Sequence, residues 1–201
     1  MTKPKAPIKF SDELEAWLHN GQPNTLSNLY EVFGERSFAI FFLLLMAIPA
    51  LPIPTGGITH VFEIFVMILC LQMVVGRRTI WIPRFVLKKE LGKNTEEKVI
   101  PALIKKIRWA EKYSRPRLSG LMNNPVMRSI VGIIVFGMTL GAFLAPPFSG
   151  LDTLPAMGVV IISLGMILGD FAGLVIGTIV GALGVAISVG LGTAIFRIFT
   201  S

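Results

Sequence analysis

Hydrophobic and polar positions are segregated along this chain in four blocks. Residues 1–36 mix the two, residues 37–76 are apolar with a single charge at Glu63, residues 77–128 are polar and basic, and residues 129–201 are apolar again, with charges only at Asp152, Asp170 and Arg197. In the first block Phe10, Leu14, Trp17 and Leu18 share one helical face behind Ser11, a potential N-cap. Leu26, Leu29, Tyr30 and Phe33 predict a second amphipathic helix ending at Gly34. Both are expected to rest on a membrane surface or on the rest of the protein.

The apolar blocks are interrupted. An uninterrupted bilayer helix needs about 20 apolar residues. The second block carries about a dozen apolar residues, then PALPIPTGG at 49–57, then a second apolar run to Gly76. Pro49, Pro52 and Pro54 remove backbone donors, and Gly56 and Gly57 loosen the chain. A helix, a sharp turn and a returning helix are predicted. The fourth block repeats the plan. With Arg36-Ser37 set over Arg128-Ser129, an offset of 92, Pro54 falls on Pro146, and Pro147, Ser149, Gly150 and Pro155 belong to the second turn. The first arms, 38–50 and 130–145, reach only about 20–24 Å at 1.5 Å per residue. Two arrangements satisfy that length: full crossing with the turn at the far interface, or a re-entrant hairpin whose tip is enclosed by protein. After Asp170, 29 residues with one charge are long enough for a tilted span. Gly165, Gly169, Gly173, Gly177 and Gly181 recur every four residues, a spacing that lets helix backbones approach closely. The expected fold is therefore all-α: a polytopic membrane protein of two proline-broken hairpins in a weak internal repeat, followed by a Gly-rich transmembrane helix.

Composition agrees with that plan. Of 201 residues, 53% are hydrophobic and 15% charged, against about 25% charged in soluble domains. The excess of positive charge lies almost wholly in 77–128, which holds fourteen basic and four acidic residues. Placed between two apolar blocks, this is the positive-inside pattern, so that segment is expected in the cytoplasm, facing anionic lipid rather than nucleic acid. No signal-peptide pattern precedes Phe38, so insertion through internal segments with a cytoplasmic N-terminus is expected. Within the basic block Ile100, Leu103, Ile104, Ile107 and Ala110 form an apolar stripe, which suits a helix lying on the cytoplasmic leaflet; Trp109 points off that stripe. Trp81 stands where an interfacial Trp is expected.

Chemistry is sparse. Phosphate-binding loops, nucleophile elbows and HExxH are missing, and the lone Cys70 and the separated His19 and His60 make no zinc pattern. No metal, cofactor or catalytic residue is expected. The polar candidates inside apolar runs are Glu63, His60, Gln72, Asp152 and Asp170. Ionisable residues in a membrane are costly and default to functional hypotheses. His60 and Glu63, three apart, share a helix face and could bind a proton, a cation or a substrate group.

Several segments resemble the ExoD exopolysaccharide-synthesis family of bacterial membrane proteins: TLSNLYEVFGERSF at 25–38, PALPIPTGG at 49–57, LQMVVGRRTIWIPRFV at 71–86, RPRL at 115–118, APPFSGLDTLPA at 145–156 and LGDFAGLVIG at 168–177. One departure is Asp152, where the family pattern has a small or amide residue. The resemblance implies a multi-pass protein of the bacterial inner membrane linked to exopolysaccharide biosynthesis or export. It assigns no reaction. A non-catalytic accessory that contacts copies of itself or other synthesis components is one reading. A small transporter or channel for a lipid-linked intermediate, an ion or protons is the other.

Overall fold

The computed structural model describes residues 9–19, 34–51, 58–81, 97, 100–113, 124–146 and 149–200. The segment 25–33 and Pro52, Pro54, Gly56, Gly57 and Pro147 lie outside them. Among the described residues there are seven α-helices and no strand: α1 (Phe10–Leu18), α2 (Ser37–Met46), α3 (Ile58–Val74), α4 (Ile100–Tyr113), α5 (Pro125–Phe143), α6 (Thr153–Leu168) and α7 (Phe171–Thr200). Two stretches are long and apolar enough to cross a membrane, Pro125–Phe143 and Phe171–Leu191; α2, α3 and α6 are apolar but shorter. The chain divides into two compact units, Met1–Gly34 with Ile82–Arg115 and Glu35–Trp81 with Pro116–Ser201. The N-terminal segment and the basic linker, which the charge pattern separates into two regions, thus share one unit.

In the first unit α1 packs on α4. Phe10, Leu14 and Trp17 are buried, as are Ile100, Ile104 and Ile107. The stripe expected to lie on lipid is therefore covered by α1, because a second amphipathic helix of the same chain offers a matching apolar face. Ser11 also departs from expectation. Helix α1 starts one residue before it, with Lys9 at the N-cap and no side-chain cap. Ser11 instead donates its amide to Glu111 Oε1 at 2.9 Å and its hydroxyl to Glu111 Oε2 at 2.6 Å. A carboxylate from α4 thus closes the amino end of α1, where the helix dipole favours negative charge. At the next turn Arg108 bridges Glu15 at 2.6 Å and Asp12 at 3.3 Å. The Glu15 hydrogen bond pushes the Arg108 guanidinium above its ordinary value.

The second unit follows the repeat. Helix α5 starts on an Asn124 side-chain cap, 2.9 Å from the Val126 amide, with Pro125 at its first position. Helix α3 ends in a Schellman turn: the Gly76 amide meets Met73 O at 3.1 Å and the Arg77 amide meets Gln72 O at 3.1 Å. Gly76 has φ 87°, a backbone that glycine adopts without strain. The helices then exchange partners. α2 packs chiefly on α6 and α3 chiefly on α5, so each first arm lies against the second arm of the other repeat. Contacts at both ends fix the directions. Ser129 Oγ, at the start of α5, donates to Val74 O, at the end of α3. At the other end His60, on the first turn of α3, stands edge-on to Phe143, on the last turn of α5, with centroids 5.2 Å apart. The hairpins therefore run in the same direction, and their proline turns come to the same end.

Helix α7 packs against α6 through glycine. A Cβ built on Gly177 would stand 2.7 Å from Gly158 O, one on Gly173 2.7 Å from Gly165 Cα, and one on Gly184 2.6 Å from Pro155 Cδ. Gly158 meets the backbone of Gly181, and Gly181 also meets the Met138 side chain. Gly169 belongs to the every-four pattern but stands outside this seam. At φ 64° it caps α6 and turns the chain into α7.

Candidate functional site

Of the five polar positions that stand out in the sequence, the structure brings three to one place. Glu63 lies one turn into α3 with its side chain fully shielded, 0% exposed. Its Oε2 shares a hydrogen bond of 2.7 Å with His60 Nδ1, the i, i+3 neighbour. Its Oε1 has no hydrogen-bond partner. A buried carboxylate with one oxygen bonded and the other idle is costly, so this atom is the most pointed chemical feature of the unit. His60 is the exposed half of the couple, its side chain 25% accessible and its ring held against Phe143.

Asp152 reaches the same end from the other repeat. It precedes α6 at the N-cap position but makes no cap hydrogen bond. Thr59 Oγ1 approaches Asp152 Oδ2 at 3.5 Å, the outer limit of a hydrogen bond. Asp152 is also close enough to act on Glu63 through its charge. Two carboxylates, an imidazole and a hydroxyl therefore converge where the proline turns lead into α3 and α6. The second turn is fastened around them. Ser149 Oγ donates to Pro146 O at 2.6 Å and accepts the Leu151 amide at 3.2 Å, and Gly150 takes φ 68°. From α7, Ser188 Oγ donates to Leu151 O at 3.0 Å. Pro155 is buried in the first turn of α6, where a missing amide costs nothing. Pro49 is buried in the turn that follows α2.

The other two candidates serve the ends of helices. Gln72 grips the Trp81 backbone with both amide atoms, Oε1 accepting at 2.7 Å and Nε2 donating at 3.0 Å, and so holds residues 77–81 back against α3. Asp170 Oδ1 accepts the Ala172 amide at 3.0 Å and caps α7. Both lie at the opposite end of the unit from Glu63, because a capping residue stands where its helix ends. No group of three or more metal-ligating side chains occurs among the described residues.

Thr59 and Phe143 are site neighbours that sequence reasoning does not single out. The 92-residue offset places His60 over Asp152, so the repeat itself carried a signal for the pairing of these turns. Nothing in the sequence marked Phe143. Arg128, in the first turn of α5, is 8% exposed with its Nε lacking a partner; the sequence showed it as the counterpart of Arg36 in the repeat, at the start of an apolar run, and not as a buried charge.

Comparison with known proteins gives the chain its relatives. It is 25% identical over 186 residues to an uncharacterized protein of Synechocystis sp., covering 89% of this chain and 87% of that one. It is 28% identical over 156 residues to Protein ExoD of Rhizobium meliloti, covering 75% of this chain and 62% of that protein. No solved structure matches it. The family described as "Exopolysaccharide synthesis, ExoD" matches residues 10–190, which include both units and every polar position of the turn cluster, and the chain belongs to this family.

Proposed function

We propose that this protein is a multi-pass component of the bacterial inner membrane that serves exopolysaccharide synthesis or export without catalysing a covalent step, and that it does so by passing an ion or small polar group through the junction of its two hairpins. Family membership supports the association with exopolysaccharide synthesis. Membrane residence is supported by the outward faces of the helical unit. Val61, Phe65 and Ile68 of α3, Ile133 of α5 and Ile179 and Leu183 of α7 are all exposed apolar side chains, a surface suited to lipid and not to water. The basic residues of 77–128 favour a cytoplasmic position for that segment and for the N-terminus, on an anionic leaflet.

Helix α7 gives a ruler for depth. Asp170 marks its start, beside the end of the unit that carries Arg77, Arg78 and Arg128. Ser188 marks the level of the second proline turn. Residues 189–196 then run uncharged to Arg197, about 12 Å further at 1.5 Å per residue. From Asp170 to Ser188 the helix rises about 27 Å at 1.5 Å per residue, close to the ~30 Å of a hydrocarbon core, so the turns and the exposed edge of His60 belong toward the far interface, with Glu63 a turn inside it.

The observation that carries this reading is the buried Glu63 carboxylate with an idle oxygen at the meeting point of two broken helical pairs. Broken pairs of this kind place transport sites where repeats meet. The test is complementation of an exopolysaccharide-deficient strain that lacks this protein. Glu63→Gln is expected to abolish complementation at normal protein level. Full complementation at normal level would leave a purely structural accessory as the remaining role.

A further inference from the structure

We infer that the ligand of this junction is the proton itself, held by Glu63 and handed to and from the outside by His60. The inference rests on the reading above and narrows it to one substrate class. Three features of the geometry point to it. First, Glu63 Oε1 is shielded from solvent and unbonded, and Oε2 is engaged by His60. A carboxyl that gains a proton loses its buried charge without any added ligand; a metal ion would need several more donors, and no three-residue ligand group exists among the described residues. Second, the couple is asymmetric in access. Glu63 is fully buried while His60 is 25% exposed beside it, so the imidazole is the group that meets water and the carboxyl is the group that stores. Third, His60 Nδ1 and Glu63 Oε2 are 2.7 Å apart, a distance across which a proton passes directly.

The step is a transfer within the pair. A neutral His60 that donates its Nδ1 hydrogen to the Glu63 carboxylate takes a proton from water on its free Nε2, and the Nδ1 proton then passes to Oε2, leaving a neutral imidazole with its hydrogen on Nε2 and a neutral carboxyl. The pair as a whole thus gains one proton, and the reverse releases it. The charged surroundings are simple. On α3 the facing titratable group is His60, and on α6 it is Asp152. α2 carries no charged residue, nor does α5 beyond Arg128 at its far end, nor α7 before Arg197. Thr59 Oγ1 stands 3.5 Å from Asp152 Oδ2.

The test is infrared difference spectroscopy of the full-length protein in lipid nanodiscs, titrated from about pH 4 to about pH 10. The wild type is expected to show a protonated-carboxyl stretching band that disappears with a single midpoint. Glu63→Gln removes this band, whereas Glu63→Asp keeps one. His60→Asn, which leaves the carboxyl in place, keeps the band and moves its midpoint to higher pH by about one unit, a tenfold tightening, because the neighbour that stabilises the anion is gone. Absence of any titrating carboxyl band in the folded wild type overturns the inference, as does an unchanged band in Glu63→Gln or an unmoved midpoint in His60→Asn. These readouts are independent of polysaccharide production. A failed complementation with no titrating band would leave a functional junction whose ligand is not a proton.

Discussion

Thr59 and Asp152 stand 93 positions apart in sequence and meet at 3.5 Å, each at the start of the second arm of its own repeat. Their separation is within one residue of the 92-residue offset between the two proline-turned segments. Both hairpins enter from the same end, so they run parallel, not inverted. The contact is long, and its coupling is expected to be modest. A double-mutant cycle of Thr59→Val with Asp152→Ala, read by thermal unfolding in detergent, should give a coupling of about 0.5–1 kcal/mol. Strict additivity of the two variants would show that the turns meet without this pair.

The α6–α7 seam should not tolerate side chains. At Gly158 and Gly177 an added Cβ would run into backbone, which moves less readily than a side-chain tip. Gly158→Ala and Gly177→Ala are each expected to cost at least about 1–3 kcal/mol and to lower the unfolding temperature. Gly137 of α5 is the internal control, since nothing stands within 4 Å of its would-be Cβ. Gly137→Ala should be neutral or stabilising by up to about 1 kcal/mol through helix propensity. Equal behaviour of all three variants would contradict the seam.

Glu111 caps a helix that is not its own. Glu111→Ala strands both the Ser11 amide and the buried Ser11 hydroxyl, with an expected cost of about 1–2 kcal/mol to the α1–α4 pairing. Hydrogen exchange should read this as faster exchange through α1, with α5 to α7 unchanged. Glu111→Gln keeps acceptor capacity and should lie between. Unchanged protection of α1 in Glu111→Ala would mean that apolar packing alone holds the pair.

With the apolar stripe of α4 covered by α1, the exposed side of α4 presents Trp109, 64% exposed, among Lys105, Lys106 and Lys112. Such a face suits an anionic headgroup layer, with the indole at the interface. In full-length protein carrying Trp17→Phe and Trp81→Phe, emission from Trp109 should shift to shorter wavelength in nanodiscs containing anionic lipid and be quenched there by brominated chains. Replacing the three lysines by Gln should reduce both effects. Identical emission in anionic and zwitterionic discs would sink this placement.

The broad plan was legible because it depends on composition. Proline turns at 49–57 and 144–155 and the glycine spacing from Gly165 onward are features that a helix must obey locally. What one helix would lay its face on was not legible. The stripe Ile100–Ile104–Ile107 reads equally well as lipid-facing or protein-facing, and only the presence of α1 decides between them. Gln72 read as a polar group deep in an arm, since its apolar surroundings in sequence hide the helix end beside it; Asp170 read as the end of an apolar run, without showing that it caps the next helix. Gly158 and Gly184 fell outside the every-four pattern because the seam is written on two helices, each supplying part of it. The exchange of arms between hairpins left no mark in either hairpin alone.

That exchange bears on how the protein is made. Synthesis proceeds from the N-terminus, so on the proposed membrane reading α3 inserts while α5, its main packing partner, is still within the ribosome. During that interval Phe143 and Asp152 do not yet exist beside Glu63, and the side chain that bonds the carboxylate from its own helix is His60, a turn away. The i, i+3 pair therefore has a duty earlier than any in the finished protein: it lets an acidic residue be inserted in company, until the second hairpin arrives to close over it.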